Sequence, residues 1–437
     1  INIVGFPTKP ESGEEGSWDT WSKTLSSQFL SKQTPALAQK QLKIAYDVQK
    51  SEFDDIMAVT NPAVKARLLD PFADDCDSKA VHLKAAALPR QGSKVLIPLT
   101  SLKDDECYAP TYKNGEKLAL VRYPHAGTFE IPVVTVNNRS QEGKAVLQNA
   151  KDAIGINPKV ASRLSGADFD GDTVLTIPYN KQLAVSGALK GLEDFDPKTA
   201  YPKYDGMKVI SPKNKQTEMG KVSNLITDMT LKGASQDEIA AAVRHSMVVI
   251  DAEKHELNYQ QSYIDNGIAA LKVKYQGGTL SQPKGASTLI SRSSSEIRVP
   301  TRRPVTKADI VNDPSLSGVV RKNNYSVDPT TGKKVTIPKN ETYVNSKGKT
   351  VTKQEKSTKM FETDDAHTLS SGTAMEKVYG DYANSMKALG DQARQASVLI
   401  PSTKYSPSAK ATYADEVASL KAKLAIASSN KPMERQA

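Results

Sequence analysis

Residues Asp168, Phe169, Asp170, Gly171 and Asp172 put three carboxylates into five positions, with a glycine between the second and the third. In extended backbone alternate side chains share one side, so the three aspartates can converge on a point while Phe169 faces away. Gly171 gives the backbone the freedom to turn tightly enough to bring in the third carboxylate. Like charges about 4 Å apart repel by roughly 1 to 4 kcal/mol per pair, depending on the effective dielectric. A cation or a proton must relieve that repulsion. The flanks want burial, since Leu164 precedes the run and Val174, Leu175 and Ile177 follow it. The acidic run is therefore expected to be a loop between anchored segments, on a scaffold rigid enough to hold metal ligands. An all-oxygen donor set with no His or Cys close by favours a hard ion, Mg²⁺ or Mn²⁺, over Zn²⁺.

Three other uses of such a run compete, and the spacing discriminates among them. An EF-hand counted from Asp168 needs Gly at its sixth position and Glu at its twelfth, where this chain has Thr173 and Tyr179. A phosphatase of the haloacid-dehalogenase type also uses Asp-x-Asp-Gly, but follows it with Thr and precedes it with an apolar strand. Here Asp172 takes the place of that Thr, and Ser165, Gly166 and Ala167 come before. A solvated acidic turn stays open, with the apolar flanks weighing against it.

The stretch from Ser165 to Asp172 resembles the signature of the double-psi β-barrel RNA polymerases. That superfamily takes in the cellular multisubunit enzymes, the RNA-dependent polymerases of RNA silencing and single-chain phage polymerases. Upstream, Gly115 to His125 resembles the strand whose Arg-x-Pro element lies near the ribose of the incoming nucleotide. That likeness implies that Arg122 contacts a ribose hydroxyl. Downstream, His245 to Lys254 is similar to a helix-end segment of the silencing-type enzymes and implies substrate-binding roles for His245 and Lys254. The likeness spans residues 95 to 260, and its acidic signature is the specific part.

The resemblance implies an α+β chain in which a double-psi β-barrel carries the acidic metal loop, flanked by helical regions and a basic loop-rich segment. The implied activity is template-directed RNA synthesis, DNA-directed, by two-metal phosphoryl transfer with Asp168, Asp170 and Asp172 holding Mg²⁺ or Mn²⁺. The implied partners are a nucleic acid template, the RNA product and nucleoside triphosphates. Such polymerases use two barrels, and the partner barrel supplies lysines to the phosphates; residues 1 to 90 give no strand pattern for one. The chain also begins at Ile1. The expectation is a fragment or one half of a split polymerase, inactive or nearly so until an upstream segment or second subunit brings the lysine barrel. The alternative from another class is a non-catalytic nucleic-acid-binding or phage structural protein with a vestigial metal site.

Five regions are expected along the chain. Residues 1 to 90 read as helical, with Trp18, Trp21, Leu25, Phe29 and Leu30 at helix-like spacing and an amphipathic run from Ala45 to Met57. Residues 91 to 180 are the barrel, built on short β-rich runs at Val95 to Leu99, Leu118 to Val121, Phe129 to Val136 and Val174 to Ile177. Lys144 to Arg163 reads as a helix-like insertion leading into the acidic loop. Residues 181 to 275 read as helical, packing on the barrel. There Ser235 and Glu238 form a capping-box pattern, and Ile239, Val243, Met247 and Ile250 form a stripe. Residues 276 to 365 are basic and loop-rich or hairpin-forming. Residues 366 to 437 return to helix, with one stripe through Met375, Tyr379, Tyr382, Met386 and Leu389 and another through Tyr413, Val417, Leu420 and Leu424.

Charge points the same way as the motif. The chain has a net charge of +10, and residues 301 to 360 hold 13 Lys or Arg against 5 Asp or Glu, so most of the excess sits in one segment. Arg292, Arg298, Arg302 and Arg303 stand near a serine cluster, and Lys333, Lys334, Lys347 and Lys349 lie in Gly-, Asn- and Thr-rich turns. These eight are the candidate nucleic-acid contacts; a solvated linker that happens to be basic is the competing reading. Two cysteines without metal-ligand spacing, no signal peptide and no long apolar run suit a cytoplasmic protein, including one made in an infected bacterial host.

Overall fold

The structure is a computed structural model that describes residues 24–123, 125–164, 167–180, 182–192, 194–401 and 406–434. Trp18, Trp21, Ser165 and Gly166 lie outside the described residues. Six strands close into a barrel: β1 (Gly92–Pro98), β2 (Glu106–Tyr108), β3 (Lys117–Val121), β4 (Val133–Val136), β5 (Ala153–Ile156) and β6 (Thr173–Pro178). Around the barrel the order is β1, β5, β2, β4, β3, β6. The pairs β1 with β5 and β2 with β4 are parallel, and the remaining pairs are antiparallel.

Three of these strands differ from the sequence reading, which had no strand at β2, Glu106–Tyr108. The stretch from Lys144 to Arg163 is not one helical insertion, because β5 lies inside it, between short helices Gln141–Val146 and Pro158–Ala161. Its Gly155 is required by a close approach, since a Cβ there would stand 2.1 Å from Leu99 Cδ1. The run from Phe129 begins as a helical turn, Thr128–Glu130, and only Val133–Val136 is strand.

The apolar strands read as continuous runs because both of their faces are covered. In β3, Leu118 and Leu120 point into the barrel, while Ala119 and Val121 face the helices outside. Strand β6 alternates likewise, with Val174 inside and Leu175 and Ile177 outside. Each such side chain contributes roughly 1.5 to 3 kcal/mol on burial, so both surfaces of this wall are held firmly.

The outer cover comes from distant parts of the chain. Helices α1 (Pro35–Ala58) and α2 (Pro62–His82) start at side-chain caps from Thr34 and Asn61, each followed by a proline in the first turn. Helix α5 (Ala374–Leu399) lies across both. Its predicted stripe is the buried one: Met375, Tyr379, Tyr382, Met386 and Leu389 are all buried. The second stripe, on Ala414–Glu434, is exposed at Val417, Leu420 and Leu424, as is Tyr413 just before it.

Helices α3 (Pro212–Leu231) and α4 (Gln236–Asp251) pack on each other beside the barrel. The capping box of Ser235 and Glu238 forms as its spacing predicts. The buried face of α4 is wider than the predicted stripe, taking in Ala240, Ala242, Val243, His245, Val248 and Val249. Residues 296–358 form small antiparallel sheets rather than a free linker. No helix among the described residues is long and apolar enough to cross a membrane.

Candidate metal centre

The acidic loop leaves the helix at Pro158–Ala161 and runs straight into β6, so its C-terminal end is part of the barrel wall. The backbone N–H of Leu96 in β1 donates to the carbonyl of Asp172 at 2.8 Å, which ties the third aspartate into the sheet. Phe169 and Ala167 pack against the barrel interior. Both bends of the loop use positive φ, at 62° for Phe169 and 118° for Gly171. A non-glycine residue there costs of order 1 to 3 kcal/mol, so packing must hold Phe169 in place.

Asp168, Asp170 and Asp172 converge as expected, with one carboxylate oxygen of each within 4.8 Å of the others. Their environments differ. The Asp168 and Asp170 side chains are 50% and 59% exposed, whereas that of Asp172 is 8% exposed. Arg122, just past the end of β3, reaches Asp172 Oδ1 with Nε at 2.9 Å and also with Nη2. The other oxygen of Asp172 accepts the Asp168 backbone N–H at 2.8 Å. Lys254, just beyond the end of α4, places Nζ 3.0 Å from Asp168 Oδ2 and 3.0 Å from Asp170 Oδ2.

Two cations thus face three carboxylates, leaving a deficit of positive charge at an oxygen-only cluster. The Lys254 hydrogen bond holds the Asp168 carboxyl below the usual carboxylate range. In turn, Asp170 and then Asp168 raise the Lys254 ammonium above its ordinary value. Lys254 therefore stands in for a cation between the two exposed carboxylates. Exposed ion pairs of this kind hold weakly, so a divalent ion with direct oxygen ligands can replace it. The donor set fits a hard divalent ion for that reason. Beside the loop, Arg122, Tyr123, Asp170, Gly171, Asp172 and Thr173 line an open depression of about 390 Å³.

The end of β3 is fixed from behind. The buried Lys32 donates to the His125 carbonyl at 2.7 Å, and Glu130 accepts the Ala126 N–H at 2.8 Å. Burial lowers the Lys32 ammonium to about 8, opposed by Glu130, and drives His125 well below the ordinary histidine range. His245, by contrast, lies inside the helical packing. It is 3% exposed, its Nδ1 sits 3.1 Å from Ser262 Oγ, and its ring meets Tyr263 edge-on. Burial lowers its pKa to about 4. Asp251, to which the sequence reading gave no role, lies close enough to feel Asp168 and Lys254, and burial raises its carboxyl. Its position one helical turn before Lys254 is the signal that would have singled it out.

The basic candidates are dispersed and mostly paired. Arg302 lies between Glu355 at 2.6 Å and Glu362 at 2.9 Å, and Arg303 pairs with Asp309 at 2.6 Å. Lys333 meets Asp364 at 3.0 Å, and Lys334 meets Asp74 at 2.8 Å. Arg292 donates to the Ala286 carbonyl at 3.0 Å. Arg298 has a loose contact with Glu296 at 3.6 Å. Lys347 and Lys349 have no ion pair among the described residues.

No protein-family model matches the chain, and no curated protein matches it. Among solved structures there is a likeness to the RNA-dependent RNA polymerase QDE-1 from Thielavia terrestris, at 15% identity and a TM-score of 0.32. The match covers 62% of this chain and 34% of that one, so the chain spans about a third of that polymerase. The functional reading rests on the geometry of the loop.

Proposed function

We propose that this chain is the catalytic portion of a template-directed RNA polymerase, with a barrel of the double-psi type. One observation carries the reading. Arg122 and Lys254 lie 50 and 86 residues from the loop aspartates that they reach, each singled out in the sequence by its own motif, and all meet at hydrogen-bonding distance. A solvated acidic turn requires no such convergence.

Asp168, Asp170 and Asp172 would hold Mg²⁺ or Mn²⁺, which supplies charge neutralisation and activation of a hydroxyl nucleophile in phosphoryl transfer. The chain's own part is positioning. Arg122 fixes the buried Asp172, and the same guanidinium borders the depression in which a ribose would sit. Lys254 holds the two exposed carboxylates together. With a divalent ion held by the aspartates, its ammonium would be free to meet phosphate oxygens. His245 acts through packing, by keeping α4 and hence Lys254 in place.

A triphosphate brings more negative charge than Arg122 and Lys254 can balance, so an upstream segment or second subunit with further lysines completes the site. Templated incorporation of labelled nucleotides tests this, with the chain alone and with the complete gene product. The chain alone should be inactive or nearly so, the complete protein active, and Asp170→Asn inactive in the complete protein. Synthesis by that variant at the wild-type rate would overturn the reading.

A further inference from the structure

The hairpin formed by Thr342–Val344 and Thr350–Thr352 pairs with no other strand among the described residues. Thr342, Tyr343, Val344, Thr350 and Thr352 are all exposed, so the hairpin buries almost nothing. A lone two-stranded ribbon is marginal in water, and this one adds little to the core. Its base is nevertheless clamped. Lys353 N–H donates to the Glu341 carbonyl at 2.7 Å, Thr301 N–H to the Lys353 carbonyl at 3.1 Å, and Lys339 N–H to the Thr301 carbonyl at 2.7 Å. The ribbon is thus presented to solvent from a fixed root.

One face of it carries a distinctive set of side chains. Tyr343, 55% exposed, stands opposite Val351, and alternation puts Lys349 and Lys353 on the same face. Arg298 borders the same concave surface, which measures about 1000 Å³ and is lined also by Asn345. Among the described residues, Lys353 and Arg298 have only the loose pairs with Glu341 at 3.4 Å and Glu296 at 3.6 Å. Lys339, Lys347 and Lys349 have no ion pair among the described residues.

We infer that this hairpin face is a docking surface for single-stranded nucleic acid, with Tyr343 stacking on an unpaired base and Lys347, Lys349, Lys353 and Arg298 following the backbone phosphates. An exposed ring on a ribbon, with cations around it and open space over it, offers a base its π-face and a phosphate its counter-charge. A duplex keeps its bases out of reach and would use the cations alone. An acidic protein would use the cations without needing the ring. The surface is separate from the acidic loop, and the inference stands whether or not that loop is catalytic.

The test is fluorescence anisotropy of a short labelled oligouridylate with the full chain, in EDTA so that the acidic loop takes no part. Tyr343→Ala should weaken binding roughly tenfold or more, as removal of one base-stacking ring does. Tyr343→Phe should bind as the wild type does. Replacing Lys347 and Lys349 with Gln should flatten the slope of log affinity against log salt by about 0.7 for each phosphate that is no longer neutralised. The ring is exposed, so melting temperatures should not change. Unchanged oligouridylate binding by Tyr343→Ala would overturn the inference, as would an equal loss for duplex RNA or polyglutamate.

Discussion

The acidic loop and the basic segment are both dense in charge, and the structure treats them in opposite ways. In the basic segment Arg302, Arg303, Lys333 and Lys334, half of the cations drawn from the sequence as nucleic-acid contacts, each meet a carboxylate of the fold within 3.0 Å. In the loop, like charges are brought together at a cost. The cations that relieve them come from segments 50 and 86 residues away, and two of the three carboxylates stay half exposed. Charge that finds its partner inside the fold is scaffold. Charge held in repulsion by a rigid wall, with incomplete compensation, is compatible with a divalent cation.

The largest effect that could break this contrast is at Asp170. Asp170→Asn should remove nucleotide incorporation by the complete protein and leave thermal stability unchanged or slightly raised without metal, because it relieves repulsion. A stability loss would mean that the loop is scaffold too. Incorporation assays and melting curves on the same preparation separate the two outcomes.

Acid should loosen the helical support of the site before it loosens the basic segment. Burial lowers His245 to about 4, so the folded state holds it neutral while the unfolded chain takes up a proton from about pH 6.5 downward. Stability is therefore fully present above pH 6.5 and falls as pH drops toward 4, by about 3 kcal/mol at most. Asp309, held low chiefly by Arg303, keeps its pair through that window. The melting temperature should fall across it, and His245→Gln should flatten the slope. An unflattened slope would mean that His245 does not set the acid sensitivity of these helices.

A smaller effect tests the other arm. Arg302→Gln leaves Glu355 and Glu362 facing each other and should cost about 1 to 2 kcal/mol of stability, visible as a few degrees of melting temperature, with little change in oligouridylate binding. If that substitution instead weakened binding and left stability alone, the internal pairing of the basic segment would not describe its role. The smallest effect expected is at Lys254. Lys254→Met removes the resident cation, so Mn²⁺ should bind a few times more tightly, while incorporation falls because the ammonium is lost to the phosphates. Weaker Mn²⁺ binding would show that Lys254 builds the cluster rather than competing with the ion.

The loop was legible in the sequence because its three aspartates lie within five residues around a glycine, and its apolar flanks fixed where it is anchored. The Ser235 and Glu238 cap and the Met375 to Leu389 stripe were legible for the same reason, since both are local patterns. Strands β2 and β5 were not, because runs such as Glu106–Tyr108 and Ala153–Ile156 are too short to show a period and are closed by partners far along the chain. The fate of the basic residues was illegible on the same ground: Lys333 finds Asp364 31 residues away, and Lys334 finds Asp74 at a separation of 260. Tyr343 went unread because one exposed tyrosine carries no pattern until the ribbon around it is seen to bury nothing.

Whether Asp168, Asp170 and Asp172 form a divalent-cation site decides the rest, and Mn²⁺ binding followed by electron paramagnetic resonance tests it directly. The wild-type chain should take up Mn²⁺ at a site from which Mg²⁺ displaces it, and Asp170→Asn should lose that site while remaining folded. Equal Mn²⁺ uptake by the two proteins, or none by either, would contradict it.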